Sequence, residues 1–413
     1  MKHSKIFESD KSIPVILGGF VNALGLIRSF GAVDLDSVVI DRYRNIAFFS
    51  KYAKGFVSPH PDKDEESFID FLMELGSRFR QKAFLLATND IWLIPVSKRQ
   101  KTLEKYFIFP MSEWKVIQNC IEKSKLYQFA INHNIPHPKT FFLQNYSEMV
   151  NISDKVVYPS IVKPSITVGF TEKLGLANPI VIINGKDELI NLSRKIKEVG
   201  LGNVPLIIQE AIPGGAENLY TVSAYSNRDG EIIAYSTGHK IRQYPPKAGT
   251  ITSGRVVRDT QTYELASKLI KAIGFYGISN TEFKYDNRDG IFKLIEINAR
   301  PGMWNYSIYA AGINLPYLAY REAMGDKIEF LGEAPNDIVW YYLQDFLNPV
   351  IKYRFSKQNK EFVLSVGQWR ESLKGKKITA IYRKEDPLPA LIHFLTLFSV
   401  IIKGFFKRIF KRR

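Results

Sequence analysis

The residues best suited to chemistry lie in one short stretch, Lys293-Leu294-Ile295-Glu296-Ile297-Asn298-Ala299-Arg300-Pro301-Gly302. Read as a strand, its side chains alternate between two faces. Ile295 and Ile297 then enter a core, while Glu296 and Asn298 point together to the other side. A carboxylate and an amide oxygen on one face suit a hard cation such as Mg²⁺, which takes oxygen ligands. Arg300 follows and can steady an anion nearby. The other reading is a strand end with solvated polar residues, and the stretch by itself does not choose between them.

The preceding segment bears on that choice. Residues 280–286 read as a partner strand and Asn287-Arg288-Asp289-Gly290 as the turn. A two-residue loop would pair Glu282 with Ile295 and put the two glutamates on opposite faces. A three-residue loop, Arg288-Asp289-Gly290 with Gly290 left-handed, shifts the register by one. Glu282 then faces Glu296, and Phe283 and Tyr285 join Ile295 and Ile297 in the core. Like charges paired across a hairpin repel, and a divalent cation turns that repulsion into a site. This register is the expected one, with Glu282, Glu296 and Asn298 converging.

Several elements must position these residues. Residues 13–30 read as an apolar strand, a Gly18-Gly19 turn and a helix, and a second strand at 37–40 ends at Asp41. This is an open α/β unit whose turn approaches a ligand, although the dinucleotide spacing G-x-G-x-x-G is absent. A strand at 83–87 leads into Thr88-Asn89-Asp90, the crevice position of such a sheet. Asp90 either holds a substrate amine or caps the next helix. Residues 113–134 have the spacing of one helix, which stops before Ile135-Pro136-His137-Pro138, an extended linker and the first domain boundary. His133 and His137 are too isolated to form a metal pair.

A strand at 156–163 carries Lys163 into a loop with Gly169 and Gly175, where a lysine holds phosphates or is simply solvated. A strand at 179–183 and a helix at 187–199 complete a small lobe. A strand at 206–210 leads to a Pro213-Gly214-Gly215 bend open to a flat heterocycle. Strands at 218–225 and 231–237 flank Asn227-Arg228-Asp229-Gly230, the same turn chemistry as 287–290. Residues 238–250 are basic and kinked by prolines. Lys240, Arg242 and Arg255 there either neutralise a polyphosphate or carboxylate or form a solvated face. Helices at 260–272 and 315–324 close this lobe.

The length, 413 residues, suggests two to three domains, and 45% hydrophobic content is ample for sizeable cores. The single cysteine, Cys120, excludes an internal disulfide and a cysteine-based metal cluster, and reads as a small buried hydrophobe. The segment MKHSKIFESDKS carries no apolar run, so no secretory signal is expected. Net charge is +16, and six basic residues fall in the last eleven positions. They follow LPALIHFLTLFSVII (388–402), which falls short of the roughly 20 residues a spanning helix needs. An apolar run with a basic end reads as an interfacial membrane anchor, or alternatively as a helix docked on the protein or a partner. No nucleic-acid role is expected, because the tail's aromatics sit in an apolar stretch.

The order Lys123, Val162-Lys163-Pro164, Gln209-Glu210, Glu217, Glu282, Glu296-Ile297-Asn298-Ala299-Arg300 resembles the ATP-grasp superfamily over about 1–325. Gly18-Gly19, Leu24-Gly25-Leu26-Ile27-Arg28-Ser29 and Lys240-Ile241-Arg242-Gln243-Tyr244-Pro245 are similar to its carboxylate–amine ligase group, which includes D-aspartate ligase. The resemblance implies α/β and α+β architecture: an N-terminal open α/β (pre-ATP-grasp) domain, 1–112; a small lobe, 113–204; and an antiparallel-sheet lobe, 205–330. An appended region, 331–387, and an apolar-basic, amphipathic tail, 388–413, follow. ATP would be clamped between the lobes, with Lys123 and Lys163 on its phosphates. Gln209, Glu210 and the backbone through Ala211 and Ile212 would read adenine, and Glu217 the ribose. Glu282, Glu296 and Asn298 would carry two Mg²⁺ ions, with Mn²⁺ as a substitute. Lys240, Arg242 and Arg300 would serve the transferring phosphate and the acyl substrate.

In two places the sequence departs from the family pattern: the loop after Lys163 is poor in glycine, and Glu122 and Ser124 flank Lys123 where Asp often precedes the lysine. The function implied is ATP-dependent joining of a carboxylate to an amine, an amino acid, through an acyl phosphate. The acceptor would be a membrane-linked cell-envelope precursor, and the enzyme would sit in the cytoplasm against the inner face of the membrane. The competing reading is a nucleotide-binding interaction protein recruited to the membrane without turnover.

Overall fold

Pro14-Val15-Ile16-Leu17 is buried at every position, as a parallel strand covered on both faces requires. In the computed structural model, which describes residues 6–165, 173–175, 180–246, 249–353 and 362–398, this segment is the central strand of the first sheet. β1 (Pro14–Leu17), β2 (Ser37–Asp41), β3 (Ala53–Val57), β4 (Ala83–Ala87) and β5 (Phe107–Ile108) run parallel in the order β3-β2-β1-β4-β5. The chain reverses direction across the sheet between β1 and β4, so a crevice opens at their carboxyl ends. Gly18 turns the chain there with φ 94°, and a Cβ would lie 2.2 Å from the Thr88 hydroxyl, so no larger residue fits.

The expected single helix over 113–134 is two helices, Trp114–Ile121 and Lys123–Asn132. Glu122 is extended between them and begins the second as its N-cap. Apolar spacing reports which face is buried and does not report whether the backbone is continuous. The break places Lys123 in the first turn of its own helix.

β6 (Thr140–Leu143), β7 (Ser160–Pro164), β8 (Val181–Ile183) and β9 (Leu206–Glu210) form an antiparallel sheet in the order β6-β9-β7-β8. Helix Lys186–Glu198 buries Leu189 and Ile196 against Val162, Leu206 and Ile208. The strand at 206–210 thus belongs to the small lobe, past the expected division at 204. The loop that follows β7 falls mostly on residues 166–172 and 176–179, outside the described residues, as does the basic end of the tail, 399–413.

The large sheet contains β10 (Leu219–Ser226), β11 (Ile232–Tyr244), β12 (Thr250–Val256), β13 (Gly277–Asp286) and β14 (Ile291–Asn298). The segment expected to be kinked from 238 is strand as far as Tyr244, so Lys240 and Arg242 stand on β11 and the prolines act only beyond it. The appended region joins the same sheet. β15 (Gly332–Glu333) lies beside β11, and β16 (Val339–Tyr341) and β17 (Lys377–Thr379) extend the edge in the order β14-β13-β10-β11-β12-β16-β17.

The region is also fastened to the first domain. Arg28, 3% exposed, donates from Nε to Asp386 Oδ2 (3.0 Å), from Nη1 to the Ile381 carbonyl (2.7 Å) and from Nη2 to the Asp386 carbonyl (2.9 Å). Ser50 Oγ and the Lys51 amide complete the Asp386 shell, both at 2.9 Å. Burial depresses the Arg28 pKa although Asp386 opposes it. Removing one member of such a buried pair typically costs about 3–5 kcal/mol, because the other charge is left uncompensated.

β13 and β14 meet in a register that the turn alone does not produce. Asp286 pairs with Ile291 across a four-residue turn, longer than the three-residue loop expected, with Gly290 at φ 72°. Phe283 then pairs with Leu294, yet Glu282 pairs with Glu296. Ile295 is an extra residue, a β-bulge, and it disrupts the ladder locally. Leu294, not Ile295, enters the core with Phe283, Phe292 and Ile297, and Ile295 and Tyr285 are only half-buried. The Ile295 carbonyl accepts a hydrogen bond from the Tyr127 hydroxyl at 2.6 Å. Tyr127 is fully buried in helix Lys123–Asn132. Tyr127→Phe leaves that carbonyl without its partner and should destabilise the protein by about 1–3 kcal/mol in chemical denaturation. An unchanged midpoint would mean the bulge does not depend on the tyrosine.

Candidate active site

The bulge sets Glu282 and Glu296 side by side at the floor of a cleft of about 180 Å³. Lys240 reaches them from β11, and its Nζ donates to Glu282 Oε2 at 2.8 Å. Asn298 Nδ2 donates to Glu296 Oε1 at 2.9 Å, and Arg300 Nη2 donates to Asn298 Oδ1 at 3.0 Å. Arg300 Nε donates to Asp90 Oδ1 at 2.8 Å, joining the large sheet to the crevice of the first domain. The helix after β4 is capped by Asn89, which frees Asp90 for this contact. Asn22 strengthens the junction by donating to the carbonyls of Thr88 (2.7 Å) and Pro301 (2.9 Å).

The electrostatics divide the two carboxyls. Burial raises the Glu282 pKa, Lys240 opposes this and the neighbouring Glu296 charge adds to it. Burial pushes Glu296 upward too, but the Asn298 hydrogen bond and the charges of Lys240, Lys123 and Arg300 outweigh it and hold Glu296 below its ordinary range. The donor set fits a hard divalent cation: two adjacent half-buried carboxylates need positive charge, and Lys240 supplies only one unit of it directly. Among the described residues no group of three or more His, Cys, Asp or Glu could hold a metal, so the set here is two carboxylates and an amide.

Lys163 lies on β7, buried, with Nζ donating to Gln209 Oε1 at 2.9 Å and 5.2 Å from the centre of the Tyr127 ring. Burial and the nearby Lys123 charge bring its pKa down to about 7, against the pull of Glu296. Lys123, Lys163 and Glu296 thus share one neighbourhood.

Three expected roles look different in the structure. Gln209 is turned inward: its amide donates to Thr140 Oγ1 (3.0 Å) while its oxygen holds Lys163, so it positions that lysine and does not face a base. Glu210 is paired with Arg288 at 2.5 Å, so its carboxylate is taken up by that arginine. Arg242 points away from the acidic cleft because a stronger partner is present. Its Nε donates to Asp345 Oδ2 at 2.6 Å, its Nη2 pairs with the same carboxylate and its Nη1 donates to Ser372 Oγ at 2.7 Å.

Ala211, Ile212 and Glu217 line a second, larger cavity of about 600 Å³ between the lobes. Glu217 accepts from the Gly215 amide at 3.0 Å, and Lys284 Nζ donates to the carbonyls of Ile212 (2.7 Å) and Gly214 (2.8 Å), which shapes the bend.

Trp304 was not anticipated. Its ring lies on Gly238 and Gly254, where a Cβ would come within 2.5 and 3.0 Å of it, and it walls the acidic cleft. The signal was present as glycines inside two strands, which mark a close approach.

The protein family described as "ATP-grasp in the biosynthetic pathway with Ter operon" matches residues 205–345, the span that carries the acidic cleft. The chain has the ATP-grasp fold. It is 26% identical over 337 residues to D-aspartate ligase of Enterococcus faecium, covering 78% of each protein. The L-amino acid ligase of Bacillus licheniformis shares the fold with a TM-score of 0.58 at 17% identity, over 77% of this chain and 75% of that one. N5-carboxyaminoimidazole synthetase of Staphylococcus aureus, solved with ADP, gives 0.59 at 16% identity, over 79% and 81%. ATP-grasp ligases use ATP and Mg²⁺, which accords with the donor set of this enzyme. Its free cysteine, Cys120, is buried, and burial pushes the thiol up to about 12, so it plays no part as a nucleophile.

Lys163 yields a pH prediction. A lysine titrating near 7 is mostly neutral at about pH 8.5 and must gain a proton to face a triphosphate. Binding of Mg-ATP at that pH should therefore take up close to one proton, seen as a buffer-dependent calorimetric enthalpy, and the uptake should vanish near pH 6. Lys163→Met should abolish it.

Proposed function

We propose that the enzyme joins a small carboxylic acid to an amine, in the manner of an amino-acid ligase, with ATP cleaved to ADP and phosphate. The observation that carries this reading is the convergence of Glu282, Glu296 and Asn298 with Lys240 and Arg300 where the large sheet meets the first domain. A carboxylate lacks a good leaving group. Transfer of the γ-phosphoryl group makes an acyl phosphate, which an amine attacks to release phosphate. Such catalysis is mainly positioning and neutralisation of charge.

The residues divide the work accordingly. Lys123 and Lys163 face the phosphates, with Gln209 holding Lys163 in place. Glu282, Glu296 and Asn298 hold Mg²⁺, two ions in this reading, which offset charge on the nucleotide phosphates. Arg300 and Lys240 border the cleft where the acyl substrate lies. Asp90, fixed by Arg300, offers a carboxylate at the crevice for the incoming amine. The cleft volume of about 180 Å³ suits a small acid such as an amino acid.

A screen of amino acids with Mg-ATP should find one or a pair that triggers phosphate release. Glu282→Ala and Glu296→Ala should each lower that rate by about 100-fold or more while the far-ultraviolet spectrum stays unchanged. ATP consumption near the wild-type rate in either variant would overturn the metal assignment. ATP bound but never consumed, whatever the substrate, would favour the non-catalytic binder.

The tail supports a membrane-side acceptor, with the enzyme on the cytoplasmic face where ATP is found. Residues 388–398 are helical, and Leu388, Leu391, Phe394, Leu395 and Phe398 form one exposed stripe, with Phe394 63% exposed. The opposite face is docked: Pro389 is buried, Ala390 packs on the core and His393 Nε2 lies 3.2 Å from the Tyr342 hydroxyl. Among the described residues no helix is long and apolar enough to cross a membrane. An apolar stripe followed in sequence by basic residues fits a bilayer surface, where each Lys or Arg adds about 1 kcal/mol. Co-sedimentation with anionic vesicles should be lost on deletion of 388–413 and weakened by Phe394→Glu. A truncated protein that still pellets removes the anchor.

A further inference from the structure

The ~600 Å³ cavity has two walls of different origin. One wall comes from the ATP-grasp lobes: Ile161 on the same face of β7 as Lys163, the bend at Ile212, and Glu217. The other comes from beyond the ligase core, as Pro349, Leu364 and Ser372. We infer that the appended region, through helices Gln344–Tyr353 and Val366–Ser372, forms the outer wall of the nucleotide pocket and that Asp345 is the positioning residue that holds this wall shut. The inference rests on the reading of this cleft as the ATP site.

Asp345 has a side chain 1% exposed and takes donors from three separate places. Arg242 approaches from β11, and Thr252 Oγ1 donates to Oδ1 at 2.6 Å from β12. Trp369 Nε1 donates to Oδ2 at 3.1 Å from the second appended helix. The Arg242 guanidinium also reaches Ser372 at the end of that helix. Trp369 is packed between Tyr341 and Phe346, with ring centroids at 5.7 and 5.5 Å. One buried carboxylate thus ties both appended helices to the two strands beneath the cavity. Breaking a buried charged network of this kind leaves Arg242 uncompensated, so the geometry is held firmly. The cavity as a whole is lined by more apolar than polar side chains, as the face of a purine requires, and its size lies in the range of small-molecule sites.

The wall lies at the bend and Glu217 end of the cleft, away from the acidic floor. It should therefore contact the nucleoside and leave the phosphates alone. The test measures binding of Mg-ADP and of Mg-tripolyphosphate, together with the KM for ATP, in the full-length protein. Leu364→Ala removes apolar contact from the wall, Trp369→Phe removes one donor and keeps a ring, and Asp345→Asn unpairs Arg242.

Leu364→Ala and Trp369→Phe, with unchanged thermal unfolding, should each weaken Mg-ADP by about tenfold, as loss of one buried apolar or polar contact implies. They should raise the KM for ATP in step, with kcat and tripolyphosphate affinity unaltered. Asp345→Asn should show the same pattern more strongly; should it not fold, the other two variants decide. Mg-ADP affinity within twofold of wild type in both, or an equal loss for tripolyphosphate, overturns the inference. Wild-type protein that binds neither Mg-ADP nor Mg-ATP overturns the nucleotide reading itself.

Discussion

A single hydrogen bond, from the Tyr127 hydroxyl to the Ile295 carbonyl, underlies the rest of the site. A regular ladder continued from the Asp286–Ile291 pair would set Glu296 opposite Thr281, on the face that carries Phe283 into the core. A carboxylate there would be buried among hydrocarbon, at a cost far above that of a local bulge. The extra residue at Ile295 moves Glu296 and Asn298 to the side of Glu282, and the tyrosine satisfies the carbonyl that the bulge exposes. The same ring lies beneath the Lys163 ammonium, so this lysine and the acidic strand rest on one support.

Three parts of the chain meet around the cleft, each supplying charged groups. The small lobe brings Lys163, the large sheet brings the acids with Lys240, and the first domain brings Asp90 through Arg300. Burial makes these charges matter. In a low-dielectric cleft an unpaired charge is costly and a paired one is strongly oriented. Glu282 and Glu296 are accordingly driven apart in pKa, and Lys163 is brought toward neutrality, poised to gain a proton when a more anionic partner arrives.

The C-terminal region is structural as well as appended. Its strands lengthen the large sheet, Asp345 gathers Arg242 and both appended helices, and Asp386 is locked on Arg28 of the first domain. The helix after Asp386 is therefore presented in a fixed orientation, with its apolar stripe outward. Two acids separated by 41 positions (345 and 386) fasten the region at opposite ends.

Much was legible before any coordinates. The parallel strands of the first domain announced themselves as apolar runs, and Glu282, Glu296, Asn298 and Arg300 by residue type and spacing, because those signals are local. Gly290 in a left-handed turn was equally local. What the chain could not disclose was the bulge, since the turn length and an inserted residue compensate and produce the same Glu282–Glu296 pairing by a different path. Arg242 shows the same limit: its partner is 103 positions away, and only folding decides whether a basic residue meets a phosphate or a buried Asp345. Residue chemistry and periodicity marked the side chains suited to a site; long-range pairing, governed by which buried charges must be neutralised, decided which of them lie together.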